Sequence, residues 1–159
     1  MVYFITGDKN EGKTRKLKEL FGKTDGAHGF GANKVLDCGR VTMYTLTDLR
    51  TGESFPLAKL TSLPIPNDWG RTEKHGAFTF TAKGFTTAER ILQKAVEEGA
   101  KAFFIDELGK LELSGRGHAN LIRSALGTGM DLYISIRTAN AKAAAKTFGI
   151  EDYKTIPAS

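Results

Sequence analysis

The chain has 159 residues, 40% of them hydrophobic and 26% charged, with a formal net charge of +5. These proportions suit one soluble domain spanning residues 1–159 with a sizeable core, and they exclude a fibrous or disordered chain. The single cysteine, Cys38, excludes an internal disulfide framework and fits a reducing cytoplasm, while no apolar run approaches a membrane span. The positive charge suits anionic partners. The lysines are nevertheless spread out, without a basic run or basic–aromatic interleaving, so nucleic acid is not indicated and polyphosphates explain the charge as well.

In chain order, the β-branched and aromatic run at residues 2–6 predicts a short buried strand. It leads directly into Gly7-Asp8-Lys9-Asn10-Glu11-Gly12-Lys13-Thr14-Arg15, which reads G-x-x-x-x-G-K-T. A helix follows over 13–21, with Leu17, Leu20 and Phe21 on one face and Gly22 as its stop. Strand, glycine loop and helix in that order are the context a phosphate-binding P-loop requires. The glycines let backbone N–H groups turn inward onto phosphate oxygens, and the helix N-terminus adds partial positive charge. Lys13 can then reach the β- and γ-phosphates, and the Thr14 hydroxyl can take a position on Mg²⁺. A glycine-bounded loop with a solvated lysine satisfies the same letters, but not the same flanks. Arg15 either touches phosphate or faces solvent.

Residues 40–46 and 54–58, separated by Thr51-Gly52, predict a β-hairpin inserted after this helix. Residues 61–76 are rich in Pro, Gly and polar groups and predict a long loop. Trp69 within it either stacks on a base or packs onto the sheet, and packing is the better reading. A short strand is expected at 78–83, then a helix opened by a Thr86-x-x-Glu89 capping box and closed by Gly99. Residues 101–107 form an apolar strand that ends in two carboxylates, Asp106 and Glu107. A helix around Leu121 to Leu126, a strand at 131–136, an alanine-rich helix capped by Thr138 and a weak strand at 153–156 complete the chain.

Strands alternating with helices predict an α/β fold, a mostly parallel sheet covered on both faces, with ligands at the carboxyl ends of the strands. The P-loop and Asp106-Glu107 share that edge and can meet. An apolar run into Asp106 has the form of a Walker B strand, in which the Asp holds Mg²⁺ and Glu107 orients or deprotonates a water attacking the γ-phosphate. Charge on the transferred group calls for a further cation. Arg137, at the end of the 131–136 strand, ranks above Lys110 and above Arg116 in its glycine-flanked loop. His28, His75 and His118 show no metal-ligand spacing, and none is assigned catalysis.

With both motifs identified, the chain resembles the small thermostable nucleoside-triphosphatase family of P-loop proteins. The specific match is Ile105-Asp106-Glu107-Leu108-Gly109-Lys110-Leu111-Glu112-Leu113, similar to that family's extended Walker B signature, with support from Gly29-Phe30, the hairpin and Arg137. The resemblance implies a RecA-like, three-layer P-loop NTPase sandwich and Mg²⁺-dependent hydrolysis of ATP, GTP or other triphosphates to diphosphate and phosphate. It implies Lys13 and Thr14 at phosphate and metal, Asp106 at Mg²⁺ and Glu107 at the attacking water. Ala32 and Lys34 depart from the threonine and acidic residue usual after Gly29-Phe30 in the family. Two other readings share these residues: a nucleoside or small-molecule kinase, in which a hydroxyl replaces water, and a non-catalytic nucleotide switch with a protein partner.

Overall fold

A computed structural model describes residues 1–9 and 11–159. Among the described residues nine strands join one sheet: β1 (Val2–Gly7), β2 (Ala27–Asp37), β3 (Arg40–Asp48), β4 (Ser54–Leu60), β5 (Thr72–His75), β6 (Phe78–Thr81), β7 (Ala102–Leu108), β8 (Asp131–Arg137) and β9 (Tyr153–Pro157). The helices are α1 (Lys13–Gly22), α2 (Ala82–Glu97), α3 (Lys110–Leu113), α4 (Ala119–Leu126) and α5 (Ala141–Phe148). The spatial order is β5-β6-β4-β3-β2-β7-β8-β1-β9.

Five strands, β2, β7, β8, β1 and β9, are joined by parallel pairings, and β3, β4, β6 and β5 extend the sheet by antiparallel ones. The fold is therefore the expected α/β sandwich, but its sheet is mixed. The predicted hairpin is the inner half of a four-strand extension, next to β2, and the stretch read as a long loop contributes the edge strand β5. Trp69 is buried at 4% exposure in the turn before β5, its carbonyl accepting from the Thr81 hydroxyl at 2.7 Å. Packing, rather than base stacking, is its part.

Alternation along the central strands sends side chains to two faces. Phe4, Phe103 and Ile105 join the larger core with residues of α2, α4 and α5, while Ile5, Phe104 and Leu17 of α1 form a smaller one on the opposite face. Each fully buried phenylalanine contributes about 1.5–3 kcal/mol. The layers place the α1 N-terminus and the carboxyl ends of β1, β7 and β8 at one edge.

Helix α2 starts earlier than the capping-box pattern implies. Its N-cap is Thr81, whose hydroxyl accepts from the Lys83 N–H at 3.2 Å, whereas the Thr86 hydroxyl donates to the Ala82 carbonyl inside the helix. Gly84 sits in the first turn, where α2 lies close on β4. A Cβ there would come within 2.7 Å of Leu57 Cδ1 and 2.9 Å of the Pro56 carbonyl. Likewise, Thr138 opens a short 3-10 turn (Thr138–Asn140) without capping α5.

Candidate functional site

Gly12 enters α1 with φ 85°, a left-handed conformation that favours glycine, and the helix then opens with no acidic residue in its first turn. Its exposed N–H groups and dipole make this end a site for anions. The Lys13 ammonium folds back and donates to the Asp8 carbonyl at 2.7 Å, spanning the loop. The Thr14 hydroxyl donates to Asp106 Oδ2 at 2.9 Å, so residues 92 positions apart in the chain are in contact.

Asp106 is 1% exposed and fully engaged. Its Oδ2 also accepts from the Ala32 N–H at 2.9 Å, and its Oδ1 accepts from the Ser135 hydroxyl at 2.5 Å. Burial pushes this carboxyl above its ordinary range, against the pull of its three donors and of Lys18. The strand order explains the third donor. Because β8 lies between β7 and β1, a serine on β8 sits beside the carboxylate that faces the P-loop.

The β7–β8 register slips between Ile105 and Leu108: Ile105 pairs with Ile134 and Leu108 with Ile136, so β7 carries one extra residue there. This bulge holds Asp106 and Glu107, and Glu107 adopts φ 64°, costly for a residue with a Cβ. The Glu107 N–H donates to Ser135 Oγ at 2.7 Å, so a single hydroxyl ties both acidic residues in place. Glu107 reaches the cleft surface, but the protein around it and the Asp106 charge raise its carboxyl above the usual range, opposed by Lys34, Lys13 and Arg137.

Around these groups lies a cavity of about 700 Å³, with Lys13, Thr14, Glu107, Lys110 and Arg137 in its lining. Lys9 and Gly12 line it as well; Gly7, Asp8, Glu11 and Arg15 do not, and Asn10 falls outside the described residues. Arg137 pairs in register with Gly7 across β8 and β1, which sets its guanidinium-bearing position at the start of the P-loop. Arg116 is elsewhere, exposed and ion-paired with Glu73 of β5.

Two contributors escaped the sequence reading. Ser135 carries no spacing signal toward Asp106, since an isolated serine in an apolar strand reads as a pause in the pattern. Tyr44 on β3 lines the cavity, and burial, then the Glu107 charge, raises its phenol.

Among the described residues no cluster of three or more His, Cys, Asp or Glu side chains could hold a metal. Mg²⁺ does not require one, because it takes one or two protein oxygens together with substrate phosphates and water. The Thr14 hydroxyl and Asp106 carboxylate, already in contact, supply a fitting all-oxygen donor pair.

A family model described as NTPase matches residues 2–156. No curated protein matches the chain. Among solved structures, the crystal structure of THEP1 from the hyperthermophile Aquifex aeolicus is similar over 100% of this chain and 90% of its own, with a TM-score of 0.70 and 20% identity. That likeness shows the shared fold.

Proposed function

Because this chain belongs to the NTPase family, we propose that it is a Mg²⁺-dependent nucleoside triphosphatase, cleaving several triphosphates, ATP and GTP among them, to diphosphate and phosphate. The observation that carries this reading is the contact of Thr14 with Asp106, which puts Glu107, on its strained bulge, beside the P-loop. In the proposed reaction the P-loop amides and Lys13 hold the β- and γ-phosphates. Glu107 accepts a proton from water as the water oxygen bonds to the γ-phosphorus and the bond to the β–γ bridging oxygen breaks. Lys13 and Arg137 stabilise the negative charge that develops on the transferred group. When bound by Thr14 and Asp106, Mg²⁺ would supply further charge neutralisation on the phosphates.

Broad base preference follows from a grip on phosphates, which all triphosphates share. No described helix is long and apolar enough to cross a membrane, and a cytoplasmic location is part of the proposal. The test compares phosphate and diphosphate release from Mg²⁺–ATP and Mg²⁺–GTP by the purified protein. Equal amounts of the two products are expected, with Lys13→Ala losing the thermal stabilisation that nucleotide gives. Tight binding without turnover would overturn hydrolysis in favour of a switch.

A further inference from the structure

A second cavity of about 330 Å³ meets the first along Ala32, Tyr44, Glu107, Gly109 and Lys110. Its other walls are different in kind, with Phe30, Leu46, Leu57, Phe80 and Phe85 gathered from β2, β3, β4, β6 and α2. It thus lies between the antiparallel extension on one side and β2, β7 and α3 on the other. A mostly apolar pocket with a few polar groups is the usual form of a small-molecule site.

Two features define the occupant. His118 lines this cavity at 5% exposure, with its ring centroid 4.8 Å from Phe30 and 4.9 Å from Phe85. Its buried Nδ1 has no hydrogen-bond partner among the described residues. That atom has almost no accessible surface of its own, so His118 offers the cavity its ring as part of an aromatic wall rather than a hydrogen-bonding atom. Second, three carboxylates, Asp106, Glu107 and Glu112, line the cavity against the ammonium of Lys110. Carboxylates disfavour an anion, and the aromatic walls favour a ring over a hydrated chain.

We propose that this cavity is a phosphoryl-acceptor site that binds an uncharged, ring-bearing alcohol with its hydroxyl at Glu107, in the place of the attacking water. The inference rests on nucleotide occupying the first cavity as described above. The alcohol oxygen bonds to the γ-phosphorus, the bond from that phosphorus to the β–γ bridging oxygen breaks, and the diphosphate leaves with the electron pair. Glu107 takes the hydroxyl proton and returns it to solvent. Hydrolysis is then the reaction of the same site when water alone is present.

Benzyl alcohol serves as the probe, with Mg²⁺–ATP, and ADP, inorganic phosphate and benzyl phosphate are measured in one reaction. ADP in excess of phosphate is expected, the excess matching benzyl phosphate. Equal ADP and phosphate at saturating alcohol overturns the transfer while leaving hydrolysis intact. ADP formed only when alcohol is present overturns hydrolysis and supports transfer. Ligand-observed NMR on the nucleotide-free protein tests the site itself, and absence of a saturation-transfer signal on benzyl alcohol overturns it. Ala77→Trp, at an exposed position of the cavity lining, should abolish that signal. His118→Ala should weaken binding roughly fivefold through loss of one ring of the aromatic wall. Unchanged binding in both variants, each checked for fold by circular dichroism, overturns the placement.

Discussion

Asp106 and His118 are both buried polar side chains near Glu107, and the fold treats them oppositely. Asp106 accepts from Thr14, Ala32 and Ser135, contributed by α1, β2 and β8. His118, between Phe30 and Phe85, has a ring nitrogen that no described residue satisfies. The first environment is preorganised for charge, with cations and helix dipole facing a fixed carboxylate. The second is preorganised for shape. Glu107 lines both cavities, so the difference between water and another acceptor would be decided by what fills the aromatic side.

The largest expected effect comes from removing the group the two cavities share. Glu107→Gln keeps the side chain's size, and both residues bear the same backbone cost at φ 64°, so folding should be little changed. If Glu107 is the base, kcat should fall about 10²–10⁴-fold while nucleotide binding is kept. Near-normal turnover, measured as phosphate release alongside nucleotide affinity, would remove the shared-base premise.

The next effect separates the two buried groups by pH. Burial among apolar rings pushes the His118 imidazole from 6.5 down to about 4. Its folded-state pKa lies below its unfolded value, so the unfolded chain binds more protons between those limits. Stability is therefore full above pH 6.5 and declines as pH falls toward 4, by about 3 kcal/mol in total for this one group. Glu112, raised mainly by burial, works in the opposite direction as its own protonation sets in. The difference between the wild type and His118→Phe isolates the histidine. Urea denaturation at several pH values should show the variant losing less stability on acidification, and parallel pH profiles would refute the assignment.

Ser135→Ala tests the charge-ordered side alone. It removes the donor to Asp106 Oδ1 and the acceptor of the Glu107 N–H. A loss of about 1–3 kcal/mol in stability is expected from the orphaned groups. A fall in kcat with KM nearly unchanged would mark Ser135 as a positioning residue; a loss of stability with normal kcat would make it structural only.

What the sequence made legible follows from how local each signal is. Gly7 to Thr14 lie in one loop and Asp106-Glu107 at one strand end, so residue spacing exposes them. Ser135 matters only because β8 inserts between β7 and β1, an arrangement that no local window contains. The bulge at Glu107 depends on cross-strand register, and its φ 64° leaves no mark on residue choice. The start of α2 was misplaced because Thr86-x-x-Glu89 has the letters of a capping box, while the cap itself, Thr81, is followed by a Gly84 that close packing on β4 requires. The aromatic cavity was hidden for the same reason as Ser135: Phe30, Leu57, Phe80 and Phe85 come from four separate elements that only the folded sheet brings together.

The smallest effect belongs to Arg116, which the glycine-flanked Gly115-Arg116-Gly117 loop marks in sequence as a candidate finger. Its guanidinium is instead ion-paired with Glu73 on the edge strand β5, and both side chains are largely exposed, at 45% and 58%. Exposed pairs of this kind contribute about 0.2–1 kcal/mol, because solvent screens the attraction and two long side chains lose freedom. Arg116→Ala should therefore lower stability by less than about 1 kcal/mol, less still at high salt, and leave kcat for phosphate release unchanged. A tenfold loss of kcat would mean that the loop leaves β5 during turnover and brings its charge to the phosphates. The extension would then serve the charged cavity as well as the apolar one.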